Sequence, residues 1–182
     1  MDQTLVVRAR DGDREAFAAL VRAVGDRLYA LAYRLLRDTD QAQDAYQETM
    51  VTAWRQLAYL RDPERFEAWT RRILVRQCYA ETKRRSRLTS TGIVGDALPA
   101  GPDEGHAIHD RDELERAFRD LSLDHRAVVV LHHYQGLSLV EVAETLGIPQ
   151  GTARSRLHYA TKCLRRSLDA QDAPVIAKEG LA

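Results

Sequence analysis

The chain has 182 residues, 45% of them hydrophobic, and its 27 basic and 27 acidic residues cancel to a formal net charge of zero. That length allows one medium core or two small ones. No run of eighteen apolar residues occurs and Met1–Arg10 lacks an apolar secretory segment, which predicts a cytoplasmic protein with no membrane contact of its own.

Asp13 is placed to cap a long helix whose apolar stripe is Phe17, Leu20, Val24, Leu28, Leu31 and Leu35, in steps of three and four. After the polar break Asp38-Thr39-Asp40, a second helix carries Ala42, Ala45, Tyr46, Thr49, Ala53, Trp54 and Leu57 on one side. Its other side shows Gln43, Asp44, Gln47, Glu48 and Arg55. Residues 58 to 62 read as a short loop, and Asp62-Pro63 as an N-cap and first-turn proline opening a third helix through Phe66, Trp69 and Ile73.

From Trp69 to Arg87 that helix is a basic stripe: Arg71, Arg72, Arg76, Lys83, Arg84, Arg85 and Arg87 are opposed only by Glu81. Periodicity then stops. Four of the ten glycines fall between Leu88 and Asp110, with Pro99 and Pro102, which marks a linker. Beyond it, Leu114, Phe118 and Leu121 mark one short helix and Ala127, Leu131 and Tyr134 another. Ser138 with Glu141 forms a capping box for a third, and Gly147 to Gly151 interrupts the pattern before a final helix with the seam Ala153, Leu157, Ala160 and Leu164. No strand pattern competes, so the fold class is all-α, two small helical domains joined by a flexible linker.

A capped short helix, a turn bearing Gly and Pro, and a helix with a one-sided seam together read as a helix-turn-helix. With the seam buried, Thr152, Arg154, Ser155, Arg156, His158, Tyr159 and Lys162 are left to face DNA, Arg154 and Ser155 being the first candidates for base contact. A stand-alone, dimeric helix-turn-helix regulator is one protein built this way. An enzyme is disfavoured, because no Gly-rich phosphate loop, nucleophile elbow or HExxH pattern is present. Adjacent His132 and His133 diverge by about 100° on a helix, and Cys78 and Cys163 lack partners at metal-ligand spacing, so neither a metal nor a cofactor is expected.

The segment 137–157, LSLVEVAETLGIPQGTARSRL, resembles the region-four signature LSxxEIAxxLGxPxGTVxSRL of extracytoplasmic-function (ECF) sigma factors, the small sigma-seventy subunits of bacterial RNA polymerase. Residues 5–17, LVVRARDGDREAF, and 44–49, DAYQET, resemble the opening and the polymerase-binding helix of region two. The resemblance implies region two at 1–87, a linker at 88–111, region four at 112–170 and a tail at 171–182. It further implies a sigma factor that binds core polymerase through clamp coiled coil and flap, reads the -10 and -35 promoter elements, and is held by an anti-sigma factor. By the same resemblance Asp44, Gln47 and Glu48 contact core polymerase; Tyr59, Leu60, Arg61, Arg65, Arg72, Arg76, Lys83 and Arg84 contact the -10 element; and Thr152, Arg154, Ser155, Arg156, His158, Tyr159 and Lys162 contact the -35 element. Arg76 stands where the family often has a pocket Asn, Ala80 where a polar residue is usual, Thr70 where Leu is frequent, and Tyr159 where Arg is frequent.

Overall fold

The computed structural model describes residues 2–90 and 109–169. Most of the expected linker, 91–108, and the tail from 170 onward lie outside the described residues. Eight α-helices are described: α1 (Gln3–Arg10), α2 (Arg14–Leu36), α3 (Thr39–Gln56), α4 (Phe66–Ser90), α5 (His109–Asp120), α6 (Leu123–Val129), α7 (Leu139–Leu146) and α8 (Gln150–Asp169). Among the described residues there is no strand.

Sequence chemistry accounts for where these helices start. Asp13 accepts from the backbone N–H groups of Glu15 and Ala16 at the head of α2, and Asp38 from Gln41 N at the head of α3. Each satisfies donors that a helix end leaves without an intrahelical partner. Asp62 accepts from Glu64 N and Pro63 follows it, as expected, but they open a 3₁₀ turn, Pro63–Arg65, that feeds α4 at Phe66. The predicted loop is likewise shorter, because Leu57–Tyr59 is a second 3₁₀ turn. Helix α1, capped by Asp2 and burying only Val6 and Ala9, has too few apolar positions to announce itself in the sequence. Helix α4 continues past residue 87 to Ser90.

The stripe of α2 is the centre of the N-terminal bundle. Leu20, Leu31 and Leu35 are fully buried and Val24 and Leu28 nearly so, with α1, α3 and α4 packed around them. Each such side chain contributes about 1.5–3 kcal/mol of transfer free energy. The small face of α3 (Ala42, Ala45, Thr49, Ala53) lets it lie close to α2, and Phe17 of α2 meets the partly exposed Trp54 ring at 4.9 Å. Two threonines in this core keep their hydroxyls satisfied internally, Thr49 donating to Ala45 O at 2.6 Å and Thr70 to Phe66 O at 2.9 Å. Thr70 thereby occupies a fully buried position.

In the C-terminal bundle α8 packs on α5, α6 and α7, and α6 runs on into a π-helical turn, Val130–Tyr134. Ala127, Val128, Leu131, Val142, Ala153 and Ala160 form its centre. Leu157 and Leu164 of the expected seam are only partly buried, and Gln150 and Gly151, expected in the turn, already belong to α8. The two bundles, expected as separate bodies, lie against each other: α4 touches α7, and α2 touches α6 and the π-helical turn.

Two outcomes follow from this packing. A Cβ on Gly25 would sit 2.8 Å from the Tyr46 hydroxyl. Gly25→Ala should therefore lose stability despite a helix-propensity gain of about 1 kcal/mol, because overpacking costs about 1–3 kcal/mol, and in a Tyr46→Phe background the same substitution should stabilise; urea denaturation of the four proteins reads both signs. Burial pushes the Cys78 thiol up to about 12, whereas Cys163 is exposed. Iodoacetamide should alkylate one cysteine in the native protein and both only after unfolding, as mass spectrometry would show.

Candidate nucleic-acid and polymerase interfaces

The helix-turn-helix is built by local chemistry. Ser138 accepts from Glu141 N while the Glu141 carboxylate takes the Ser138 N–H at 2.9 Å, which fixes the start of α7. The hydrogen bonds from Ser138 hold the Glu141 carboxyl below its ordinary range. Gly147 ends α7 at φ 66°, a left-handed conformation that glycine adopts without steric cost, and Pro149 O receives the first N–H groups of α8. Helix α8 is thus presented with Ala153 and Ala160 buried and Arg154, Ser155, His158, Tyr159 and Lys162 exposed. At 100° per residue those five span about 140° of its circumference.

Arg156 does not share that arc. It is turned about 60° beyond Tyr159, its side chain is 25% exposed, and its Nη2 lies 2.6 Å from Asp124 Oδ2 on α6. Thr152 is half-buried at the edge of the arc, and its carbonyl accepts from Ser155 Oγ. Of seven residues expected on this surface, the structure brings five together, sets one at the margin and turns Arg156 inward.

On α4, Arg72, Arg76 and Lys83 fall within about 40° of one another, and Arg76 and Lys83 are exposed. Arg84 stands about 100° from Lys83 and reaches Asp44 of α3 at 3.1 Å and Glu81 at 2.8 Å. These two acids raise the Arg84 pKa, Glu81 foremost. Tyr59 is 82% exposed and Arg61 and Arg65 are exposed beside it, Arg65 near Asp62 at 3.3 Å. Leu60 is a correction: at 8% exposure it belongs to the hydrophobic core, its side chain turned inward where the chain leaves the 3₁₀ turn Leu57–Tyr59. It is therefore not part of an outer surface.

Asp44, Gln47 and Glu48 are exposed together on the outer side of α3, opposite its small buried face, as their spacing requires. Val51, which sequence analysis did not single out, shares that side: it is 41% exposed and lies one turn beyond Gln47 and Glu48, a spacing of three and four that the sequence already carried. His132 Nδ1 lies 2.7 Å from Leu137 O, so that ring steadies the turn before α7. Among the described residues no cluster of His, Cys, Asp and Glu could hold a metal, and no helix is long and apolar enough to cross a membrane.

This arrangement defines a class: a helical DNA-binding protein with a helix-turn-helix in one bundle and a polar, exposed α3 in the other. Comparison with known proteins agrees. Residues 20–88 match the model for sigma-70 region 2 and residues 117–166 that for sigma-70 region 4. The ECF RNA polymerase sigma factor SigL of Mycobacterium tuberculosis is 37% identical over 166 residues, covering 86% of this chain and 93% of SigL. Among solved structures, the sigma factor RpoE from Bartonella quintana, in complex with the anti-sigma factor NepR, superposes with a TM-score of 0.69. It is 26% identical, over 84% of this chain and 96% of that one. CnrH in complex with the cytosolic domain of CnrY gives a TM-score of 0.65 at 27% identity, over 94% of this chain and 99% of CnrH.

The chain belongs to the ECF RNA polymerase sigma factors. It acts as such factors do, with core RNA polymerase and promoter DNA as its partners in transcription initiation. The stand-alone regulator is not favoured, since the match at residues 20–88 lies outside the helix-turn-helix. The geometry separates Arg154 from Arg156. Arg156→Ala should lower stability by about 1 kcal/mol or less through loss of the Asp124 pair, with Arg154→Ala leaving it unchanged, as thermal denaturation would show.

Proposed function

We propose that this sigma factor divides its work between a region-two domain at residues 1–87 and a region-four domain at 112–170. In this reading α3 docks on core polymerase through Asp44, Gln47 and Glu48. The exposed turn at Tyr59, Arg61 and Arg65, with Arg72, Arg76 and Lys83 of α4, engages the -10 element. Opening DNA needs a cationic track for the backbone and an aromatic surface for an unstacked base, and this segment offers both. Helix α8 enters the major groove at the -35 element with Arg154, Ser155, His158, Tyr159 and Lys162. Its N-terminus at Gln150 contributes the positive end of the helix dipole toward a phosphate.

The observation that carries the reading is the exposed arc of α8, cationic and polar on one side and sealed by alanines on the other, presented by a doubly capped α7. Net neutrality supports a dependence on polymerase: two local basic surfaces on an uncharged chain gain little from counterion release alone. We infer that the protein works in the cytoplasm and catalyses no reaction itself. An anti-sigma factor is its expected inhibitor, as relatives of similar fold include RpoE in complex with NepR.

Run-off transcription with added core polymerase is the decisive assay, and a specific start site is the expected result. Failure to bind core polymerase or to direct any start site would overturn the reading. The double charge reversal Asp44→Arg, Glu48→Arg should weaken association with core polymerase while leaving the helical content unchanged. Arg154→Ala should cost about 1–3 kcal/mol in promoter binding by the holoenzyme if its guanidinium makes a bidentate base contact; equal binding by the variant would remove Arg154 from the interface.

A further inference from the structure

Arg126 of α6 is 9% exposed, and the hydrogen bonds it makes leave its charge without a counter-ion. Its Nη1 donates to Leu35 O at 2.7 Å, and its Nε and Nη2 donate to Phe118 O, Arg119 O and Leu121 O at 3.1, 3.1 and 2.8 Å. A guanidinium has five N–H groups, so Nη1 keeps one beyond these four bonds. All four acceptors are neutral carbonyls. Among the described residues no carboxylate pairs with Arg126, and the charged neighbour that acts on it is another cation, Arg37. The acid closest to that pair of arginines in the fold, Glu115 of α5, is taken by Arg37.

A buried ion is ordinarily met by one of opposite sign, because dipoles satisfy its hydrogen bonds without cancelling its charge. Desolvation first and repulsion by Arg37 second bring the Arg126 pKa down to about 10, so the charge persists at neutral pH. That charge borders a cleft. About 580 Å³ of space lies among α2, α3, α4 and α6, lined in part by Leu35, Gln41, Arg85, Ser86, Leu123 and Arg126. Small-ligand sites measure about 300–1,000 Å³. None of the described residues that line the cleft is acidic. Arg85 is paired at its side with Asp38 at 3.0 Å, which leaves two cations against one carboxylate.

We propose that this cleft binds a small phosphorylated compound, its phosphoryl group set against Arg126, Arg85 and the Ser86 hydroxyl and its organic part against Leu35 and Leu123. A phosphoryl group brings a charge of about −1.5 to −2 and three acceptor oxygens. It therefore supplies both the missing counter-ion and an acceptor for the remaining N–H of Arg126, in the planar geometry that guanidinium groups match. The amide of Gln41 and the hydroxyl of Ser86 add neutral donors at the same wall. An uncharged compound would leave Arg126 as it stands. None of these residues is among those assigned to polymerase or promoter contact, so the site is independent of that assignment.

The test is titration calorimetry of the full chain, at constant ionic strength, with inorganic phosphate, adenosine monophosphate and adenosine as probes. Phosphate should bind once per chain, the nucleotide more tightly because its organic part gains the apolar wall, and adenosine at least tenfold more weakly than the nucleotide. At ten times its Kd the nucleotide should raise the melting midpoint by about 3–6 °C. Ser86→Glu sets a carboxylate at the exposed edge of the cleft without touching the core. It should raise the melting midpoint in the absence of ligand and abolish phosphate binding. Arg126→Gln should lose phosphate binding as well; because Arg126 is also a structural residue, Arg85→Gln, which should weaken binding about tenfold, keeps the test open if that variant does not fold. No binding of phosphate or nucleotide up to about 10 mM would overturn the site. Equal binding by the wild type, Ser86→Glu and Arg85→Gln would reduce it to an adventitious ion only, and adenosine binding as tightly as its monophosphate would overturn the role given to Arg126.

Discussion

A charged guanidinium can be buried only if its N–H groups find acceptors, and Arg126 meets that constraint by drawing four backbone carbonyls from two bundles around itself. Three of the four come from the end of α5 and the loop after it, the fourth from the last turn of α2. The position of the helix-turn-helix relative to the N-terminal bundle follows, because α8 packs on α6 and α7 packs on α8. Arginine stays protonated at neutral pH even with its pKa lowered, so the requirement does not relax under ordinary conditions.

Around that joint the chain uses two kinds of helix surface. Faces that bury do so with small or branched residues, as where the alanines of α3 meet the leucines of α2. Faces left outside carry acids and amides on α3 and cations on α4 and α8. The segregation lets a chain of zero net charge present local clusters of either sign: fields act over about 8 Å at physiological ionic strength, so local clusters count and the sum does not.

Much of the candidate site was legible. Asp44, Gln47 and Glu48 share an exposed side because positions three and four apart lie above one another on a helix, and the same rule exposes Arg154, His158 and Lys162. The same rule misplaced Arg156, and the family resemblance misplaced Leu60. Leu60 follows a 3₁₀ turn whose tighter winding changes the direction of every side chain after it, and nothing in the local composition marks that turn. Arg156 is polar and stands at the border of the α8 arc, so its direction was settled by Asp124, 32 residues away in the chain and placed by α6.

By itself, the sequence determined the longer helices, several of their caps and most of their buried faces, since these depend on periodicity and on hydrogen bonds a few residues apart: Asp13, Asp38 and Ser138 cap helices as their types and positions require. It also carried the two sigma motifs in their order. The contact of one bundle with the other was decided only by tertiary structure, because its parts (Leu35 with Arg126, Tyr79 with Asp124, Arg72 with Glu144) are 91, 45 and 72 residues apart in the chain. Polar groups of this kind look like ordinary solvated residues until folding brings their partners within hydrogen-bonding distance.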